Sequence, residues 1–315
     1  KVLSQLFRQA REVGMIIPHK RVTAASQEVQ YEGGDVLEPQ KGFYTIPIAT
    51  LDFASLYPSI MISNNICYTT LIKPEVARTM NPSDYGITPA NSYFVKSSLR
   101  KGLLCVVLEN LLSARKKVKG ELEAAKKSIV ELSAKLSATE DVVERKALET
   151  QKIEQEFLVD VLDGRQLAIK ISANSVYGFT GAGMGSLPCI EIAASVTSIG
   201  RMMIGQTKDK VMSHFTKANG FAEDAEVIYG DTDSVMINFK ERDLKKAMDL
   251  GRAAAELLTK EFVKPVKLEF EKVYYPFLLI SKKRYAGLLY TKPEAPDRKD
   301  TKGVESVRSD NCHLV

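Results

Sequence analysis

Cysteine is scarce and scattered. The 315 residues hold four, Cys67, Cys105, Cys189 and Cys312, and no two form a C-x-x-C pair. Zinc-site spacing is therefore missing, as is the dense pairing of a disulfide scaffold. Long apolar runs are missing as well. Stretches such as Leu103–Leu108 fall far short of the ~20 residues a membrane helix needs, so no membrane span is expected. No basic stretch followed by an apolar core opens the sequence, so a secretory route is not expected and the thiols should be reduced. An initiating Met is absent, and Lys1-Val2-Leu3-Ser4 reads like the inside of a longer protein. No internal repeat is apparent. With 44% hydrophobic and 26% charged residues, collagen and wholesale disorder are excluded. A net charge of +5 is too mild to name a partner, so the placement of charge matters more. The length suggests about two structural units.

The polar and apolar residues that are present fall into distinct blocks. Residues 1–20 carry helical spacing (Leu3, Leu6, Phe7, Ala10), and 22–42 read as loop. Ile46–Leu51 reads as a strand ending at Asp52. Residues 73–92, with Pro74, Pro82 and Pro89, read as loops with short helical pieces. From 103 onward Leu104, Leu108, Leu111, Arg115, Val118, Leu122, Ala125, Ile129, Leu132 and Leu136 step by four and three, a heptad seam holding one Arg. After a turn near 137–141, a second seam is expected through Val143, Ala147, Thr150, Glu154, Phe157 and Val161. Residues 96–135 hold ten basic and four acidic side chains; 136–163 hold three and eight. An antiparallel hairpin with mutually attracting arms fits this, and so do two merely solvated faces. Helices are expected over 166–177, 190–213 and 244–262. A glycine-rich stretch (Gly178, Gly181, Gly183, Gly185) separates the first two. Strands are expected at 227–229, 235–237, 266–274 and 278–290. The fold class is therefore α+β, a sheet-containing domain interrupted by a long helical hairpin.

Three segments carry chemistry. Asp231-Thr232-Asp233 lies between two apolar strands, and Asp52 ends a third. Paired acids in a turn are commonly surface turn chemistry, but three carboxylates at strand ends can also hold two hard divalent cations. After Asp52, Pro58 suits the first residue of a helix. The N–H groups of Ser55, Leu56 and Tyr57 would then offer an anion seat. Lys170, Asn174 and Tyr177 fall at i, i+4 and i+7 on one helix face, a strip fit for a nucleotide, although Lys and Tyr also snorkel from ordinary helices. Gly178 leaves a bare surface for a base pair.

Asp52–Ile60, Lys170–Gly178 and Tyr229–Ser234 resemble, in this order, the D-x-x-S-L-Y-P-S-I, K-x-x-x-N-S-x-Y-G and Y-G-D-T-D-S motifs of family B DNA polymerases. Leu268–Tyr274, Ser281–Gly287, Ser175–Ala182 and Arg308–Cys312 resemble its eukaryotic members, so the resemblance spans essentially the whole chain. It implies a palm (1–102 and 179–315) interrupted by fingers (103–178, with an extended coiled-coil tip at about 120–155). It further implies DNA-directed nucleotidyl transfer with two Mg2+ ions, and a nuclear location. Asp52 and Asp233 would bind metal with the Phe53 carbonyl, Asp231 would take a lesser part, and Glu271 would be an auxiliary acid. Tyr57 would be the gate against a ribose 2′-hydroxyl. Arg115, Lys119, Lys170 and Asn174 would hold the triphosphate, and Tyr177 would read the nascent pair. Gly178, Lys282, Lys283 and Arg284 would meet primer–template DNA. Accessory polymerase subunits and a sliding clamp would be partners of the full-length protein; no zinc or iron–sulfur site falls in this chain. The interval from Arg115 to Lys170 is longer than usual for the family. A two-metal nuclease, or a non-catalytic DNA-binding or assembly module on the hairpin, remains the alternative.

Overall fold

A computed structural model describes residues 1–17, 32–34, 36–182 and 187–304. The Arg308–Cys312 segment lies outside them. In chain order the elements are α1 (Val2–Glu12), β1 (Gly42–Tyr44), β2 (Ile48–Phe53), α2 (Leu56–Ser63), β3 (Leu71–Ile72), α3 (Pro74–Ala77), β4 (Tyr85–Ile87) and β5 (Tyr93–Val95). The hairpin helices α4 (Leu103–Ala138) and α5 (Val142–Gly181) follow. Then come α6 (Ile190–His214), β6 (Glu226–Asp231), β7 (Ser234–Asn238), α7 (Leu244–Thr259), β8 (Leu268–Ser281), β9 (Arg284–Tyr290) and β10 (Arg298–Lys302). The architecture is α+β, and among the described residues no helix is long and apolar enough to cross a membrane.

The main sheet is antiparallel, ordered β10-β9-β8-β2-β7-β6, with β1 pairing the far half of β8. Alternation along β2 sends Ala49, Leu51 and Phe53 into the large core shared with α2, α6 and α7, and Ile48, Thr50 and Asp52 to the other face. That second face carries its own small core of Ile48, Ile228, Met236, Tyr274, Phe277, Leu279 and Leu289. Of the six residues of β2, only Asp52 is not buried.

The 36 residues of α4 and 40 of α5 make rods of about 54 and 60 Å. Asn65, buried, fixes their base. Its Nδ2 donates to the Val95 and Arg100 carbonyls at 2.7 and 2.8 Å, and its Oδ1 accepts from Gly102 N–H at 2.8 Å. At the tip Asp141 caps α5 by accepting from Val143 N–H at 2.9 Å, a cap worth about 1 kcal/mol. The ten seam positions of α4, Leu104 to Leu136, are all buried or half-buried, Arg115 included.

The second seam differs from expectation. Val143, Ala147, Thr150, Glu154, Phe157 and Val161 all face solvent, with Phe157 71% exposed. The inward positions are Leu148, Lys152, Gln155, Val159, Leu162, Gln166 and Ile169. They step by four and three into Ala173, Val176 and Thr180, which are buried at the base. Because α5 is one helix rather than two, its anchored end dictates which stripe faces α4 all the way to the tip. The arms also do not attract through ion pairs. Arg145–Glu149 and Lys152–Glu156 lie within α5, and among the described residues no ion pair joins the two helices. Smaller differences concern ends: β2 starts at Ile48, and the stretch expected as two strands from 266 starts with a single 14-residue β8.

Candidate active site

Two strands bring the acids together. Asp52 on β2 pairs in register with Ser234 on β7 and Glu269 on β8. Phe53 N–H donates to the Asp233 carbonyl at 2.8 Å, tying the end of β2 to the β6–β7 turn. That turn has two residues between Asp231 and Ser234. Thr232 sits there at φ +55°, a left-handed conformation that disfavours a β-branched side chain. Thr232 Oγ1 donates to Asp231 Oδ1 at 3.0 Å. Strain of this kind costs about 1–3 kcal/mol and gathers where geometry serves function.

The acids disfavour one another's charge. Asp52 is pushed up to about 7, by desolvation first, then by Asp233 and Glu271, with Lys272 and Lys170 opposing the rise. Asp233 is raised as well, by desolvation first and Asp231 next, although its surface still reaches solvent. Lys170 opposes this shift too, so the hairpin lysine lies within electrostatic reach of both acids. Carboxylates plus a backbone carbonyl are the hard oxygen donors that divalent cations such as Mg2+ prefer, and a cation would discharge this repulsion. The residues present fit such an ion at Asp52, Asp233 and the Phe53 carbonyl. Among the described residues, however, no three metal-ligating side chains converge on one point. Asp231 is engaged elsewhere: Lys283 Nζ donates to its Oδ1 at 2.8 Å and its Oδ2 at 3.0 Å.

The residues expected to form a nucleotide strip lie on α2 and α5. The rings of Tyr57 and Tyr177 pack 4.4 Å apart at 43°. Lys170 and Asn174 are exposed on α5, and open space surrounds Gly178. Ser55 caps α2 at φ +51° and Leu56 is its first residue, so Pro58 stands third, not first. The N–H groups of Ser55, Leu56 and Tyr57 still lie at that helix's N-terminus. Arg115 Nε donates to Gln166 Oε1 at 3.3 Å, and Gln166 Nε2 donates to Asp163 Oδ1 at 3.1 Å; Lys119 is exposed one turn further along α4.

The basic turn after β8 is already occupied by acids. Lys282 pairs with Glu38 at 2.8 Å and Lys283 with Asp231, while Lys283 N–H donates to Tyr229 Oη at 2.8 Å. Arg284 is half-buried beside them. Two residues went unnoticed in the sequence. Gln166 holds Arg115 across the hairpin. Lys272 lies 3.4 Å from Glu271 and 3.9 Å from Asp300, over the Tyr274 ring, on the acids' side of the sheet. Gln166 lies outside the quoted motifs and Lys272 inside one without a role, and only a contact across strands or helices singles them out.

A family model described as DNA polymerase family B matches residues 1–135 and 140–315. The chain is 52% identical over 321 aligned residues to a protein named DNA polymerase delta catalytic subunit from Drosophila melanogaster. It is 55% identical over 317 residues to the one from Glycine max and 50% identical over 317 residues to the one from Candida albicans. All of this chain is aligned in each case, but only 27%, 26% and 28% of the relative. The chain thus spans roughly a quarter of the length of the curated relatives it matches.

Proposed function

The chain belongs to the family B DNA polymerases, and on that footing we propose that it performs DNA-directed nucleotidyl transfer from a dNTP to a primer 3′-hydroxyl, in nuclear replication or repair. One observation supports this above the others. Phe53 N–H donates to the Asp233 carbonyl and so ties the end of β2 to the acidic turn, with Lys170 of the long hairpin within electrostatic reach of Asp52 and Asp233. A nuclease needs the acids but not a cationic helix aimed at them.

The sheet with α2, α6 and α7 is the palm, and α4–α5 are the fingers. Asp52, Asp233 and the Phe53 carbonyl would hold two Mg2+ ions, which supply activation of the hydroxyl and neutralisation of the triphosphate. Lys170 and Asn174 orient the triphosphate, assisted by Arg115, which Gln166 aims, and by Lys119. The N–H groups of Ser55, Leu56 and Tyr57 add donors at a helix N-terminus. Tyr57 bars a 2′-hydroxyl, and Tyr177 contacts the nascent pair above Gly178. Asp231 holds Lys283, so the acid's main work is to position a DNA-contacting cation. Glu271 shapes the field at Asp52, and Lys282 and Arg284 complete the primer–template contact. Accessory polymerase subunits and a sliding clamp are the partners of the full-length protein.

The test uses the full-length protein with primer–template, dNTPs and Mg2+. Templated extension is expected. Strand degradation without dNTP-dependent extension would favour the nuclease reading, and no dNTP binding on Mg2+ titration would favour a non-catalytic module. Tyr57→Ala should raise ribonucleotide use relative to deoxynucleotide by about tenfold or more; unchanged sugar selectivity rejects the gate.

A further inference from the structure

Lys272 stands beside the acids but leans away from them. It pairs across the sheet with Thr50, two residues before Asp52, and the ladder shifts register at this point. Thr50 and Asp52 share a face of β2, so Lys272 is the diagonal neighbour of Asp52, at about 7–8 Å. A lysine side chain spans that distance. Of the two cations that oppose the rise at Asp52, Lys272 is the stronger. Its ammonium nevertheless points the other way. Nζ lies 5.3 Å from the centre of the Tyr274 ring, 3.9 Å from Asp300 Oδ2 and 3.4 Å from Glu271 Oε1. Tyr274 pairs with Ile48, at the start of β2 and away from Asp52. Only 14% of the Lys272 side chain reaches solvent.

Asp300 anchors it there. This residue lies on β10, beyond β9 from β8, with its side chain 8% exposed. Tyr274 Oη reaches across β9 and donates to Asp300 Oδ2 at 2.6 Å. The ring has room to do so because Gly287, the β9 residue paired with Asp300, lacks a side chain. A Cβ there would stand 3.0 Å from Tyr274 Cδ1 and 2.8 Å from the Pro276 carbonyl oxygen. Burial works against the Asp300 charge, but the Tyr274 hydrogen bond, Lys302 and Lys272 outweigh it and hold the carboxyl below its usual range. Asp300 is therefore charged at neutral pH, and it draws Lys272 back from the acids at the end of β2.

We propose that Asp300 is a positioning residue: from the far side of β9 it holds the Lys272 ammonium clear of the cation site at Asp52 and Asp233, and so sets how much divalent metal that site requires. The proposal rests on the reading of these two acids as metal ligands. Without the Asp300 charge, the acids become the stronger attraction for Lys272. An ammonium drawn toward them partly neutralises both and repels an incoming divalent cation.

The experiment uses the full-length protein on a primer–template ending in a dideoxynucleotide, with the matching dNTP, so that metal binds and no bond forms. Mn2+ is titrated in and the free ion is read by electron paramagnetic resonance; the binding lost in Asp52→Asn defines the site. Asp300→Asn keeps an oxygen for Tyr274 and removes the charge. It should raise the Mn2+ midpoint of that site, and the Mg2+ midpoint of extension on an ordinary primer, by about fivefold. Adding Lys272→Met to Asp300→Asn should bring both midpoints to within about twofold of Lys272→Met alone; a purely structural role of Asp300 is not reversed in this way. An unchanged midpoint in Asp300→Asn, or a rise that survives Lys272→Met, overturns the proposal. If Asp52→Asn removes no Mn2+ binding, the metal-site reading itself fails and the proposal with it. Should Asp300→Asn fail to fold, Asp300→Thr carries the test, since its hydroxyl still accepts from Tyr274 and its branched side chain suits a strand. A raised midpoint there supports the proposal and an unchanged one refutes it.

Discussion

Asp52→Asn in the full-length protein should cut single-turnover primer extension by about 10³-fold, the scale at which a lost charge in a preorganised site is felt, while the protein melts no lower than wild type. The two halves of this result have one cause. Asp52 carries its charge at a cost, because burial, Asp233 and Glu271 all oppose it. Asparagine has the same shape, keeps the backbone pairing with Ser234 and Glu269, and abolishes that repulsion. Stability is held or gained where function is lost, which is how a site under electrostatic load behaves. Asp233→Asn should act alike, since Phe53 N–H bonds to its backbone rather than its side chain. Near-normal extension by either variant would remove both acids from the metal site. A large drop in melting temperature would show instead that Asp52 is structural.

Leu162→Asp should open the hairpin, and Phe157→Asp should not. Leu162 is 6% exposed and packs with Val118, Leu122 and Ala125 of the opposite arm. A carboxylate placed there would sit among these apolar side chains, and a buried charge costs several kcal/mol. Phe157, one residue type away in hydrophobicity, faces solvent. Native-state trypsin digestion distinguishes the two, because α4 carries Lys116, Lys117, Lys119, Lys126 and Lys127. Cleavage in this stretch should speed up by about tenfold or more in Leu162→Asp, and stay within about twofold of wild type in Phe157→Asp. The reverse pattern would restore the seam through Val143, Ala147 and Phe157.

That seam shows where sequence reasoning loses its grip. On α4 one stripe is apolar and the rest polar, so periodicity alone finds the inward face. On α5 two stripes compete, and the more apolar one is outside. The inward one includes Lys152, Gln155 and Gln166. Its register is inherited from Ala173, Val176 and Thr180 at the base, which a local window does not see. Charge misled for a related reason. Oppositely charged arms invite cross-pairing, yet exposed pairs gain little, and the one-turn pairs within the hairpin, Arg145–Glu149 and Lys152–Glu156, both lie inside α5. The candidate site shows in the sequence as chemistry-bearing residue types at short spacing: Asp52 with Tyr57, Lys170 with Asn174, Asp231 with Asp233. What supports those residues does not. Gln166 and Lys272 make contacts between distant segments, and a glutamine and a lysine are unremarkable until something is seen to lean on them.

The hairpin is also a lever. From the buried base near Leu108 to the end of α4 at Ala138 is about 45 Å, whereas Lys170 lies only one to two turns from the buried Ala173 and Val176. A rotation of about 10° at the base would sweep the tip through about 8 Å and Lys170 through about 1 Å. The mechanical advantage is several-fold and runs both ways. A small adjustment near Lys170 would become a large excursion at Thr139–Asp141, and a modest load on the tip would act as a strong torque beside Lys170.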